Sequence, residues 1–502
     1  MATPSNVLIL PATCETRDSP AVITPTLGSA PPLEISYAQL VILVGALQKD
    51  LACMGITTAD SVAIVLPNGP EFVATFLAVV RQRGIAAPLA PDYKQGEFKD
   101  VFSRMQPSLV VMQALDRDLD DGSYLAAPCV QAALALGVRV ALCRQANTTN
   151  KGVGEAPELG LRLLDIQGDA SPATSITDAA LFSRNDVLSE DKAVLLFTSG
   201  TTGAPKSVLL SHTNLLAAMR IIITNTKLSS SDRAFIITPL YHIVGLCSSL
   251  LATLFSGGSV VIPKSLPGAF WQQCNDYGIT WFYAVPTIHS LLLEFAPSGG
   301  PTPSQLRFLR CGGSETPPDL YDRLIVLGVP LLESYGMTET APAIFCNRLE
   351  EDGDTGKRRR GYYPIPDAVE VMILPSDGSG YDAGQNGDTA ATLTNEEDVI
   401  GEICLRGESV MAGYTNDPEA NNEAFFPNGL FRTGDLGSIQ PGSYLKLVGR
   451  IKESINKGGT QIGPAEVENA AVSHRSVAEA ACFRIADDTY GDEIGEPPSS
   501  SS

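Results

Sequence analysis

Basic residues are scarce in this 502-residue chain: 35 Lys and Arg stand against 56 Asp and Glu, a net charge of −21. A field of that sign excludes nucleic acid or an anionic membrane surface as a partner held by overall charge, so any anionic ligand needs a local device. Histidine is rarer still, four in all, and the ten cysteines include no Cys-x-x-Cys pair, which removes the usual zinc patterns. The cysteines are scattered through apolar stretches such as Leu246-Cys247 and Ala481-Cys482-Phe483, as buried thiols of a reducing compartment are. No apolar run reaches the ~18 residues a membrane span requires. The first twenty residues lack a basic stretch ahead of their short apolar run, and Ser499 to Ser502 is not a peroxisomal tripeptide. A soluble, cytoplasmic protein is expected.

What is present is an ordinary globular composition, 44% hydrophobic and 18% charged. At about 100–200 residues per domain the length allows two to four units. Leu40, Leu43, Leu47 and Leu51 recur at helical spacing between Tyr37 and Met54. Ser61 to Leu66 is a continuous apolar run closed by Pro67-Asn68-Gly69, which suits a buried parallel strand. Glu71 to Arg81 is again helical, and Ala86 to Ala90 is a short strand. Residues 112–185 carry short apolar runs separated by loops such as Asn147 to Gly152, and from 190 to 345 the alternation returns, with strands expected at Ala234–Thr238, Ser259–Ile262 and Thr280–Val285. Beyond 360 short β-like runs, Glu370 to Leu374, Glu402 to Arg406 and Tyr444 to Val448, are separated by Gly, Asp and Asn. The pattern predicts an α/β chain.

The sharpest local feature follows the apolar strand Ala193 to Phe197: Thr198, Ser199, Gly200, Thr201, Thr202 and Gly203, then Ala-Pro-Lys206. Clustered glycines and hydroxyls let backbone N–H and side-chain O–H groups converge on phosphate oxygens, and Lys206 adds a cation. The loop is not a Walker A, because Lys206 follows a proline and no Gly-Lys-Ser/Thr occurs there. It resembles the signature of the adenylate-forming superfamily, the acyl-CoA synthetases, luciferases and adenylation domains of peptide synthetases. The likeness extends over roughly residues 35–490. Val62 to Gly69 with Phe72 to Phe76 is similar to the family's first subdomain, and Thr280 to His289 is similar to small-diacid (oxalate-type) and 4-coumarate-type CoA ligases.

The resemblance implies roles residue by residue. In Glu333-Ser-Tyr-Gly-Met-Thr-Glu339, Tyr335 matches the ring placed against adenine, Thr338 the hydroxyl on the α-phosphate, and Glu339 the carboxylate on magnesium. Gly312, Gly313 and Ser314 match the adenine-contacting turn. Asp435, in Phe431-Arg-Thr-Gly-Asp-Leu-Gly437, matches the acceptor of both ribose hydroxyls, read here as a carboxylate on a glycine-flanked turn. Arg450 matches a second ribose contact, Lys452 the hinge between lobes, and His242, in Pro239-Leu-Tyr-His242, the gate of the acyl pocket. His289 is a further candidate neighbour of that pocket.

The implied architecture is an N-terminal lobe over 1–449, with α/β subdomains at 1–189 and 190–360 and a β-rich subdomain at 361–449, followed by an incomplete small α+β lobe with a Pro/Ser tail over 450–502. The implied function is an ATP-dependent acyl-CoA ligase with Mg2+ and coenzyme A, acting on a small or aromatic carboxylic acid, in a biosynthetic pathway. The alternatives are an enzyme loading a carrier protein and a nucleotide-binding pseudoenzyme. Three departures from the family pattern stand out. Ser207 replaces the usual glycine, and Gly361 to Pro366 differs at the pocket edge. The third is that residues 451–502 contain no Pro-x-x-x-x-Gly-Lys motif, whose lysine contacts the acyl carboxylate and α-phosphate in the family, so adenylation by this sequence is expected to be weakened, with nucleotide binding retained.

Overall fold

The computed structural model describes residues 17–25, 31–113, 122–146, 160–166, 186–198, 205–263, 268–296, 303, 305–342, 344–349, 362–375, 381–383, 389–391, 394–457, 460–472, 474, 477, 480–487 and 491–495. Ser199 to Gly203 and Asn147 to Gly152 therefore lie outside the described residues. Two large mixed sheets and a smaller antiparallel one share a core that runs from Val22 through Leu196, Val208 and Leu332 to Ile403 and Leu445.

The first sheet is built on the apolar run Ser61–Val65, which pairs in parallel with Ile85–Pro88 and Leu109–Gln113. Arg139–Ala146 joins it in parallel and Gly160–Asp165 closes that edge antiparallel. At the other edge Lys192–Thr198 and Lys206–Ser211 form an antiparallel hairpin around the hydroxyl-rich loop. The second sheet runs in the order Phe345–Cys346, Leu331–Tyr335, Phe308–Gly312, Trp281–Ala284, Arg233–Phe235, Ser259–Val261, Pro20–Thr24 and Leu33–Ser36. Its central strands are parallel, so their C-terminal ends share one rim, where open α/β sheets bind ligands. Helix Pro70–Arg81 is buried on every side from Pro70 to Val80, and helix Tyr37–Cys53 packs on it with Ser36 and Gln39 capping its start reciprocally.

The α/β reading is borne out, with two differences of detail. Sheet membership does not follow the division at 189/190: strands near the N-terminus extend the second sheet, and the hairpin at 192–211 extends the first. The strand expected over Ala234–Thr238 is shorter, Arg233–Phe235. Beyond it the backbone turns to other partners. The Asn68 amide donates to the Thr238 carbonyl at 3.1 Å and accepts from the Leu240 N–H at 2.9 Å, while the Thr238 hydroxyl donates to the Tyr283 carbonyl.

The third sheet is antiparallel, ordered Tyr362–Pro364, Tyr444–Arg450, Phe431–Gln440, Gly401–Gly407 and Val369–Pro375. After Arg450 a four-stranded antiparallel sheet and helix Pro464–Val472 form the α+β segment. No helix among the described residues is long and apolar enough to cross a membrane.

Candidate active site

Three structural pieces meet at the rim: the hairpin ending at Lys206, the C-terminal ends of strands Phe308–Gly312 and Leu331–Tyr335, and the edge of the third sheet at Asp435. The segment 408–415 ties them together. The Thr415 N–H donates to the Ser207 carbonyl, Val208 bridges Tyr414, the Met411 N–H donates to the Glu339 carbonyl, and the Asn214 amide donates to the carbonyls of Glu408 and Val410.

The first polar group holds Lys206, Tyr414 and Glu339. Thr198 pairs with Lys206 across the hairpin, so the partly buried Thr198 and the ammonium stand at the mouth of the loop. The Lys206 Nζ lies 4.7 Å from the Tyr414 ring centroid, and the Tyr414 hydroxyl donates to Glu339 Oε1 at 2.9 Å. Glu339 belongs to the short turn Thr338–Thr340, which ends at Ala341 in the left-handed region (φ 53°), a backbone strain of the kind held at functional sites. Burial raises the Glu339 carboxyl above its ordinary range; the Tyr414 hydrogen bond and the Lys206 charge act in the opposite sense, and the Asp435 charge reinforces burial. Thr338 beside it is partly exposed. One buried carboxylate with an adjacent hydroxyl and no soft ligand suits Mg2+, which takes one or two protein carboxylates and completes its shell with phosphates and water. Among the described residues no three His, Cys, Asp or Glu side chains converge as a metal cage.

The second group is Tyr335, Asp435 and Arg450. The Tyr335 hydroxyl donates to Asp435 Oδ2 at 2.7 Å, and Arg450 Nε lies 3.4 Å from Asp435 Oδ1. Burial raises the Asp435 carboxyl, opposed by the Tyr335 hydrogen bond and the Arg450 charge. The Tyr335 ring is fixed by stacking on Phe345 (5.5 Å between centroids) and by Tyr363 at 6.2 Å. Asp435 sits within strand Phe431–Gln440, not on a turn as expected, because this stretch pairs on both sides, with Gly401–Gly407 and with Tyr444–Arg450. Gly434 supplies the positive φ (74°) just before it, and Gly437 has the Lys446 carbonyl 2.5 Å from where a Cβ would sit.

Gly312, Gly313 and Ser314 lie at the end of their strand as expected, Ser314 exposed and Gly313 at φ 88°. A Cβ on Gly312 would sit 2.5 Å from the Ser334 carbonyl and 2.7 Å from both the Ser334 and Tyr283 hydroxyls. Gly312→Ala is therefore expected to force the strands apart and destabilise the protein by about 1–3 kcal/mol, read as a lower denaturant midpoint with unchanged m. An unchanged midpoint would contradict that crowding.

His242 opens onto solvent at the end of the pinned Pro239 segment, its ring 4.7 Å from that of Tyr241, and partial burial lowers its imidazole. His289 is elsewhere. It is 1% exposed, packs on Phe282, and its Nε2 is 2.9 Å from the Arg310 carbonyl, so burial lowers it to about 4. Phe282 faces the opposite side of the sheet from Tyr283, and His289, expected as a candidate neighbour of the acid pocket, packs on that Phe282 side. Tyr414 and Asn68 are residues of this region that sequence patterns did not single out, whereas Tyr363 lies in the Gly361–Pro366 segment read as the pocket edge.

Residues 12–415 match the model of the AMP-binding enzyme family. The chain belongs to the AMP-binding enzyme family. It is 58% identical over 498 residues to acyl-CoA synthetase ALT10 of Alternaria alternata, covering 98% of this chain and 88% of that one. To acyl-CoA synthetase FUM10 of Gibberella moniliformis it is 51% identical, covering 99% of this chain and 89% of that one. The ATP-bound crystal structure of MatB from Rhodopseudomonas palustris superposes with a TM-score of 0.74 at 25% identity, over 98% of this chain and 88% of that one. The adenylate-forming resemblance and the expectation of an ATP-dependent acyl-CoA ligase are borne out by relatives more than half identical over nearly the whole chain.

Proposed function

We propose that the rim where the sheets meet carries out both half-reactions of an acyl-CoA ligase on a small carboxylic acid. The observation that carries this reading is the convergence of Lys206, Tyr414 and Glu339 with Tyr335, Asp435 and Arg450, linked through the Asp435 charge felt at Glu339. In the first step a carboxylate oxygen of the acid forms a bond to the α-phosphorus of ATP, and the bond from that phosphorus to the bridging oxygen breaks, releasing pyrophosphate. In the second the CoA sulfur bonds to the acyl carbon and the acyl–oxygen bond breaks, releasing AMP; the thiol proton passes to solvent.

Each residue has a positioning or charge-neutralising task. Thr198, Ser199, Gly200, Thr201, Thr202, Gly203 and Lys206 hold the β- and γ-phosphates, with Lys206 kept in line by the Tyr414 face. Thr338 donates to the α-phosphate. Glu339 would hold Mg2+, which offsets phosphate charge when bound. Tyr335 and the Gly312–Ser314 turn flank adenine, and Asp435 with Arg450 takes the ribose hydroxyls. His242 lines the acid entrance. The lobe boundary falls at 449/450, at the last residues of the third sheet's strand Tyr444–Arg450, and exposed Lys452 is the hinge. Nine free cysteines among the described residues, most of them buried, support a cytoplasmic location.

Incubation with ATP, Mg2+, CoA and a panel of small acids is expected to yield an acyl-CoA together with AMP, both read by mass spectrometry. ADP as the nucleotide product would contradict the reading. So would acyl transfer confined to the phosphopantetheine of a carrier protein, or nucleotide binding with no product from any acid.

A further inference from the structure

Strand Phe431–Gln440 slips against its neighbour Gly401–Gly407 at the place where Asp435 stands. Leu436 pairs with Glu402 and Arg432 with Cys404, so Thr433, Gly434 and Asp435 together oppose the single residue Ile403. A bulge of this kind re-aims side chains and is common beside active sites. Its shape is held largely from the neighbouring strands. The Gly434 N–H donates to Glu402 Oε1 at 3.1 Å, and Arg432 donates to Glu402 Oε2 through Nη2 at 2.7 Å and Nε at 3.0 Å. The Thr433 hydroxyl donates to the Ile403 carbonyl, the Asp435 N–H donates to Thr433 Oγ1, and the Ile451 N–H donates to the Gly434 carbonyl.

Glu402 is 5% exposed, and the Arg432 side chain that neutralises it is 34% exposed. A buried ion pair adds little net stability over apolar residues of the same size; its best-attested use is to fix one arrangement among several. The arrangement at issue here is the peptide between Thr433 and Gly434. Glycine at φ 74° has no Cβ to restrict it, so this peptide is free to turn over and to carry Asp435 with it unless its N–H is held. Glu402 holds it. The other contacts do not: the Thr433 hydroxyl leaves the Gly434 N–H unbound, and Ile451 fixes the next peptide along. Nor does Glu402 supply charge that Asp435 needs. Burial raises the Asp435 carboxyl, and the Glu453 and Glu402 charges act in the same sense. Glu402 therefore works against the ionised form of Asp435 electrostatically, and what it contributes is geometry.

We propose that Glu402 is a positioning residue for nucleotide binding: by holding the Gly434 N–H, and being held in turn by Arg432, it keeps the bulge in the one shape that presents Asp435 to the ribose hydroxyls. The inference rests on the ribose role given to Asp435 above and names the residue through which that role is set.

The test is the ratio of dissociation constants for 2′-deoxy-ATP and ATP, measured by isothermal titration in the unaltered chain, Glu402→Met and Glu402→Gln. A variant that is merely less stable weakens both nucleotides by the same factor and leaves the ratio where it was. The unaltered chain is expected to favour ATP by at least about tenfold, the worth of one hydrogen bond to a charged acceptor. Glu402→Met fills the space with no acceptor and is expected to bring the ratio within about twofold of one, as in loss of that hydrogen bond. Glu402→Gln keeps one oxygen for two donor groups and is expected to give an intermediate ratio, about threefold below that of the unaltered chain; it decides alone if Glu402→Met does not fold. In the Asp435→Ala background, adding Glu402→Gln should cost ATP no further affinity, because the two residues act in series. A ratio unchanged in the folded variants, or a further loss of ATP affinity in that background, overturns the positioning role and leaves the ligase reading in place. Equal binding of the two nucleotides by the unaltered chain overturns the ribose role of Asp435 and this inference with it.

Discussion

Glu339→Gln is expected to lower acid-dependent pyrophosphate release by about 10²–10³-fold relative to the unaltered chain, the cost of removing one preorganised charge interaction at a developing transition state. Glu339 accepts from the Tyr414 hydroxyl, whose ring faces the Lys206 ammonium, and the amide keeps an oxygen for that hydrogen bond. The effect therefore isolates the charge. Its pH dependence has a definite sign. Burial raises the Glu339 carboxyl, and only its ionised form binds Mg2+, so MgATP affinity should rise with pH through a midpoint above the ordinary glutamate range. In Glu339→Gln that dependence should be lost. Stability moves the other way. A carboxyl whose folded value lies above its unfolded one holds its proton more tightly in the native state, so its contribution is present at low pH and is lost as pH rises through the raised value. At neutral pH the ligand-free glutamine variant should be at least as stable as the unaltered chain. Thermal melts and isothermal titration with MgATP read both outcomes. Unchanged pyrophosphate release in the variant would remove Glu339 from the site.

Asp435→Ala is expected to weaken AMP and ATP binding by at least about 10²-fold. Two hydrogen bonds from ribose hydroxyls to a charged acceptor contribute about 1.5 kcal/mol or more each, and together about 3 kcal/mol. Asp435 is already held in place: Tyr335 donates to one oxygen, Arg450 lies beside the other, and Gly434 admits the backbone bend before it. A nucleotide analogue separates recognition from a general collapse of the pocket. In the unaltered chain 2′-deoxy-ATP should bind more weakly than ATP, whereas in Asp435→Ala the two should bind alike. Equal discrimination in both proteins would place the ribose elsewhere.

The parts of this site legible in the sequence are those whose residue types are unusual together. Hydroxyls, glycines and a lysine after an apolar strand, or an acidic residue between glycines, leave few alternatives. Tyr414 was not legible, although it links Lys206 to Glu339, because a tyrosine after a glycine in a β-rich segment is commonplace. Asn68 was read as part of a strand-ending turn; its work of pinning Thr238 and Leu240 is a contact across some 170 residues, which no local pattern encodes. That His289 packs on the Phe282 side was not legible, because spacing along helix Pro286–Glu294 does not say which side of a sheet the helix covers. Asp435 looked like a turn residue because its flanking glycines usually are. Here they permit a bent strand with partners on both sides.

The sheets explain why the site is where it is. Parallel strands deliver Ala284, Gly312 and Tyr335 to one rim, and an antiparallel sheet with a hairpin brings Asp435 and Lys206 against it. No general base is needed there, since the acid is already a carboxylate and the leaving groups are phosphates.

Exchange of labelled pyrophosphate into ATP, measured with and without added carboxylic acid, tests the central claim most directly. It reports reversible attack of the acid on the α-phosphate before any thiol is involved. Exchange that depends on the acid and on Mg2+, and falls by about 10²–10³-fold in Glu339→Gln, is the predicted result. Exchange independent of acid, or its absence from a protein that binds ATP, would contradict it.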